Sequence, residues 1–129
     1  MDREWVDKGR KVRWEIIGED VMDPIAAGLD DMTQDMQDYV SGFSWGEVFV
    51  REGLPAKTRL LINIATLAAI GERDTLRHHV RAAARHGCSR IEIREALIQS
   101  GTVAGLIRSA QACGVAQQVL DELDGATQG

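Results

Sequence analysis

Apolar residues recur at helical spacing along nearly the whole chain, and no alternation of useful length marks a strand. No tight-hairpin dipeptide and no internal repeat interrupts that pattern. Asp2 to Ile17 reads as a first helix, with Trp5, Val6, Val12, Ile16 and Ile17 apolar and Gly18 as its stop. Pro24 suits the first turn of a short helix reaching about Leu29. Thr33 is placed to cap a third helix to about Phe43, with Met36, Tyr39, Val40 and Phe43 on one side. Ser44 to Val50 reads equally as a helix extension or an extended link. After Gly53-Leu54-Pro55 comes a strong helix, Ala56 to Ile70, closed by Gly71. Glu72 to His86 is the next, closed by Gly87. Ser89-Arg90-Ile91-Glu92 is a capping box opening a helix to about Ala104. Gly105 breaks it, and a last helix runs from Leu106 to about Leu123, with 125–129 expected to fray. Helices of this length with short links predict an all-α bundle of about six helices.

The chain has 129 residues, which fits one domain. Hydrophobic residues at 44% and charged residues at 27% are ordinary for a globular protein. The net charge of −5 argues against a general nucleic-acid binder. The longest apolar run, Ile64 to Ile70 with Thr66 inside it, is too short to span a membrane. No basic stretch leads into an apolar one near Met1, so no secretion signal is expected. Cys88 and Cys113 form no metal-ligand pattern. They predict two free thiols in a reducing cytoplasm. Residues 1–54 carry 13 acids against 6 bases, and residues 55–129 carry 7 acids against 9 bases. The second half is where an anion is better held. The helix Ala56–Ile70 is apolar on most sides, which predicts the centre of the bundle, or a subunit interface as well as a core.

Chemistry is concentrated in a few residues. Arg73, Arg77, Arg81 and Arg85 fall every four positions and make one stripe. The bland reading of that stripe is a solvated face. Leu76, His79, Val80, Ala83 and Ala84 lie on the other side, with His78 and His86 nearer the polar side. An imidazole among small side chains is suited to proton transfer near neutral pH. The bland alternative is a core histidine bonded to a backbone carbonyl. Trp45-Gly46-Glu47 sets a carboxylate beside an aromatic wall, or is a packed tryptophan next to a surface glutamate. Arg51 and Arg59 flank the Gly53-Leu54-Pro55 turn, and each offers a planar fork for a carboxylate, or is a surface residue.

These residues, in this order, resemble the carboxymuconolactone decarboxylase family. The resemblance rests on Gly53-Leu54, Thr58-Arg59-Leu60-Leu61, Ala69-x-Gly71, Leu76-x-x-His79, Ala83, Gly87 and Glu92-Ile93-Arg94-Glu95. Trp45-Gly46-Glu47 and Gly9-x-x-Val12-Arg13 are similar to its 4-carboxymuconolactone decarboxylases. The resemblance implies an alkylhydroperoxidase-D-like helical subunit that assembles as a homotrimer or homohexamer. It also implies a cofactor-free decarboxylase, a carbon–carbon lyase acting on a small anionic unsaturated lactone in aromatic catabolism, on the β-ketoadipate pathway. On that reading His79 and Glu47 are catalytic, and Arg51, Arg59, Trp45 and Gly105 bind substrate. Neither metal nor organic cofactor is expected, and no nucleic-acid or membrane partner. Thiol peroxidases of the same superfamily carry Cys-x-x-Cys where this chain has Glu72 and Thr75. The family's Tyr-x-Gly-x-Pro is here Val103-Ala104-Gly105-Leu106-Ile107, and Gln99 stands where a histidine is common. Those departures keep two other readings open: a related isomerase or cyclase with a changed pocket, and a non-catalytic oligomeric binding protein.

Overall fold

A computed structural model describes residues 1–128, of which the side chains of residues 127 and 128 are not described. Among the described residues every regular element is helical: α1 Arg3–Ile17, α2 Glu19–Ala27, α3 Gln34–Tyr39, a π-helical segment Val40–Val48, α4 Ala56–Ile70, α5 Arg73–Arg85, α6 Arg90–Ala104 and α7 Leu106–Gln128. No described helix is long and apolar enough to cross a membrane. The chain divides into two compact units, Met1–Ala56 and Lys57 onward.

In the first unit Asp2 caps α1, its carboxylate accepting from the backbone N–H of Glu4 and Trp5. Gly18, at φ 105°, turns the chain so sharply that its carbonyl accepts from Val21 and Met22, and α2 begins at once. Pro24 is therefore inside α2 rather than in its first turn, and the helix stops at Ala27 rather than Leu29. Thr33 precedes α3 but makes no side-chain cap. Its hydroxyl is engaged in the preceding turn, where it accepts from the Asp30 backbone N–H and donates to the Asp30 carboxylate.

The third expected helix changes period. Six α-helical residues lead into nine π-helical ones, so the ambiguous Ser44–Val50 stretch is mostly a helical extension. The buried residues there are Asp38, Ser41, Gly42, Trp45 and Gly46. Met36, Tyr39 and Phe43 are more than half exposed. The side that the apolar pattern marks for burial is thus the outer one. The reason is close backbone packing of α1 on the π segment. A Cβ on Gly9 would collide with the backbone of Ser41, and one on Gly46 would lie 3.0 Å from the Gly9 Cα. The polar groups buried by that approach are paired. Asp38 accepts from Arg3 and from Gln34, each at 3.0 Å, and Arg13 donates to Ser41 Oγ at 3.2 Å.

In the second unit α4 follows the expected bounds and buries Leu60, Ile64 and Ala68, one per turn. Leu76, Val80 and Ala83 are the buried stripe of α5, and Ile93, Leu97 and Gly101 that of α6. The capping box is formed in both directions, Ser89 with the N–H of Glu92 and Glu92 with the N–H of Ser89. At Gly105, φ 123°, the chain leaves α6 and re-enters a helix immediately. α6 and α7 then cross so closely that a Cβ on Gly101 would lie 2.8 Å from the Ser109 Cβ. Ser109 Oγ donates to the Leu97 carbonyl at 2.8 Å, and Ser100 Oγ ties α6 to the Ala65 carbonyl of α4 at 2.9 Å. α7 continues past Leu123 to Gln128, and Gly129, the end of the expected tail, lies outside the described residues.

Gly9→Ala is expected to destabilise the protein by about 2–3 kcal/mol, because the collision is with backbone that has nowhere to go. Gly114→Ala is the contrast: it lies in α7 with open space around its Cβ position. Its better helix propensity should hold or raise stability by up to about 1 kcal/mol. Thermal or urea unfolding of both variants checks this, and equal effects would contradict it.

Candidate active site

Trp45, Glu47 and Arg51 belong to the first unit, and Arg59, His79 and Gly105 to the second. In the first, the π segment carries Trp45 and Glu47 together. π-helical turns are rare and concentrate at functional sites. Here the wider turn comes with two glycines, Gly42 and Gly46, facing α1. Trp45 is buried, and its ring packs on Phe49 with centroids 4.7 Å apart at 43°. Glu47 is exposed, yet its carboxylate is fixed: Oε1 accepts from the indole N–H of Trp5 at 2.6 Å. Periodicity marks Trp5 only as an apolar position of α1. Nothing in the sequence signals a bond across 42 residues. Arg51 follows the π segment in an exposed turn.

In the second unit Arg59 is half-buried near the start of α4. His79 is half-buried on α5, and its Nδ1 atom is fully buried and makes no hydrogen bond, though the ring has other interactions. The buried side of α5 is wider than the sequence pattern implies. Ala82, one turn beyond His78, is completely buried, and His78 and His86 are half-buried like His79. His78 is thus no polar-side residue. The arginine stripe is not simply solvated either. Arg77 donates to Gln118 at 3.3 Å, and Arg81, largely covered, pairs with Glu122 at 3.6 Å, both on α7. These two arginines lie where α5 meets α7, and Arg73 and Arg85 remain exposed. Gly105 is exposed, with open space at its Cβ position, and its evident part is the backbone turn.

Two clefts with about 180 Å3 of empty volume each contain none of these six residues. The first-unit cleft holds Arg13, whose pKa burial lowers to about 10, helped by the like charge of Arg10. The second-unit cleft brings Arg73 and Arg108 to one edge, with the Arg108 guanidinium against Gly71.

A family model for the carboxymuconolactone decarboxylase family matches residues 34–118. The chain belongs to the carboxymuconolactone decarboxylase family. It is 38% identical over 122 residues to the 4-carboxymuconolactone decarboxylase of Acinetobacter baylyi, covering 95% of this chain and 91% of that protein. It is 27% identical over 125 residues to nitrosuccinic acid decarboxylase npaB of Metarhizium robertsii, covering 95% and 86%. Both relatives are decarboxylases by name, and the sequence reading of this chain as a carbon–carbon lyase stands with them.

Both cysteines are free. Cys88 is buried, its thiol donates to the Lys57 carbonyl at 3.7 Å, and burial followed by the charge of Glu92 pushes its pKa up against a smaller opposing pull from Lys57. A raised pKa means less thiolate at any given pH below it, and thiolate is the reactive form. Iodoacetamide at pH 8 should therefore label the half-buried Cys113 first and leave Cys88 largely intact in the folded protein. Peptide mass mapping over time reads this out, and faster labelling of Cys88 would refute it.

Proposed function

We propose that this protein decarboxylates an unsaturated lactone bearing two carboxylates, 4-carboxymuconolactone or a close analogue, in aromatic catabolism. The observation that carries the reading is the near-full-length likeness to a 4-carboxymuconolactone decarboxylase. In such a lactone the departing carboxylate sits on a ring carbon conjugated through C=C to the lactone carbonyl. As the C–CO2 bond breaks, its electron pair moves through the alkene onto the carbonyl oxygen and leaves a dienolate. Protonation at carbon then gives the product. The electron sink is in the substrate, so the reaction needs no metal or organic cofactor.

Four tasks remain for the protein: to hold the retained carboxylate, to stabilise the oxygen anion, to keep the departing carboxylate poorly solvated, and to return a proton to carbon. Arg51 and Arg59 supply planar forks for the carboxylate. His79 delivers the proton, and Glu47 is the second acid–base group. Trp45 provides an apolar wall, and Gly105 makes the turn between α6 and α7. The proposal extends to a single-domain, cytoplasmic subunit in a homotrimer or homohexamer. Support for assembly comes from the α6–α7 corner, where Val103, Leu106 and Ile107 are 88%, 70% and 76% exposed in the lone chain. Adjacent apolar side chains left this open mark a contact surface.

His79→Gln keeps a polar side chain and removes proton transfer. Turnover on the lactone should fall by about a hundredfold or more, the range for loss of a general acid. The melting midpoint should move by only a few degrees, roughly 1 kcal/mol in a chain of this size. Near-normal turnover would take the proton away from His79, and unfolding would make His79 a packing residue. Turnover of nitrosuccinate with the lactone untouched would replace the substrate but keep the reaction class.

A further inference from the structure

We propose that Trp5 is a positioning residue for the reaction, with its indole N–H holding the Glu47 carboxylate in the orientation from which it acts on substrate. The inference rests on the assignment of Glu47 as an acid–base group.

Glu47 is exposed, and a free glutamate there would sample many rotamers. Its backbone does not share that freedom, because Trp45 and Gly46, the two residues before it in the π segment, are buried. What remains to be fixed is the side chain, and Trp5 fixes it. The Nε1–Oε1 distance of 2.6 Å is at the short end even for a charge-assisted bond.

Trp5 is itself held at three points. The backbone N–H of Trp5 is one of the two that donate to the Asp2 cap, which sets the start of α1. The ring lies against Gly42, where a Cβ would collide with it. Tyr39 meets it edge to face, with centroids 6.3 Å apart at 71°. An aromatic ring so confined has one use that packing alone does not need, a donor aimed at a carboxylate oxygen. Because the indole has a single N–H, it engages one oxygen of Glu47 and leaves the second to substrate.

Trp5→Phe tests this in the full chain, since phenylalanine keeps an aromatic ring at this position and removes the donor together with one ring of the indole. Turnover number should fall tenfold to a hundredfold, the scale of a catalytic group displaced by about 1 Å. KM should stay within about twofold, since Glu47 is assigned to proton transfer rather than to anchoring the carboxylate. Glu47→Gln should lower turnover at least as much. Trp5→Phe added to Glu47→Gln should cost little more, because both changes disable one unit. Losses that multiply in the double variant, or a Trp5→Phe variant with full turnover beside a crippled Glu47→Gln, would overturn the proposal. Full turnover in Glu47→Gln itself would instead remove the assignment of Glu47 and the proposal with it. A measurement that leaves Trp5 in place covers the case where Trp5→Phe does not fold. The indole N–H resonance of Trp5 should move upfield on Glu47→Gln as its charged acceptor is lost, and an unmoved resonance would refute the contact.

Discussion

The close approach of α1 to the π-helical segment is the constraint on which the first unit depends. It exists because Gly9, Gly42 and Gly46 have no side chains at the crossing, so backbone meets backbone and the Trp5 ring meets backbone. Three consequences follow from this one contact. Trp45 is driven inside against Phe49. The short polar side chains of Asp38 and Ser41 go inside as well, which obliges Arg3 and Arg13 to satisfy them. Glu47 comes within reach of the indole at the start of α1. The same approach turns Met36, Tyr39 and Phe43 outward. A helix of ordinary period with a larger residue at any of the three glycines would lose all of these together.

The second unit is built differently. Its core is aliphatic, with Leu60, Ile64 and Ala68 one per turn on α4 and the wider set Leu76, Val80, Ala82 and Ala83 on α5. Arg77 and Arg81 reach across to α7, and Lys57 pairs with Glu92 at 3.4 Å. Glu92 itself sits at the first turn of α6, where the Ser89 backbone N–H holds its carboxyl below the usual range. These contacts tie the middle of α5, the helix that carries His79, to α7, and the start of α6 to the start of α4.

Much of the fold was legible wherever a local rule decides it. The capping box at Ser89 and Glu92, and the positive-φ stops at Gly71, Gly87 and Gly105, need no tertiary knowledge, and α4 and α6 begin and end as expected. The misreadings arose where tertiary contact overrides the local signal. Pro24 looks like a helix start, but Gly18 starts α2 earlier in order to bury Val21 and Met22. A period of 3.6 assigns Met36, Tyr39 and Phe43 to the core, and the π turn assigns it to Ser41, Trp45 and their neighbours. His78 and His79 differ by 100° on a helical wheel, yet α5 is covered widely enough that both are half-buried. The sequence suggests residue types for the proposed site because acid–base and carboxylate-binding chemistry need few kinds of side chain. The Trp5–Glu47 bond was not legible there, because 42 residues of chain separate its partners.

The account centres on a decarboxylation whose electron sink is the substrate's own conjugated carbonyl. The most direct test is to incubate the purified protein, dialysed against a chelator, with 4-carboxymuconolactone and to measure CO2 and ultraviolet absorbance together. The account predicts release of one CO2 for each lactone consumed, at a rate that added metal ions do not raise. Lactone consumed without CO2, or turnover only after metal is restored, would contradict it.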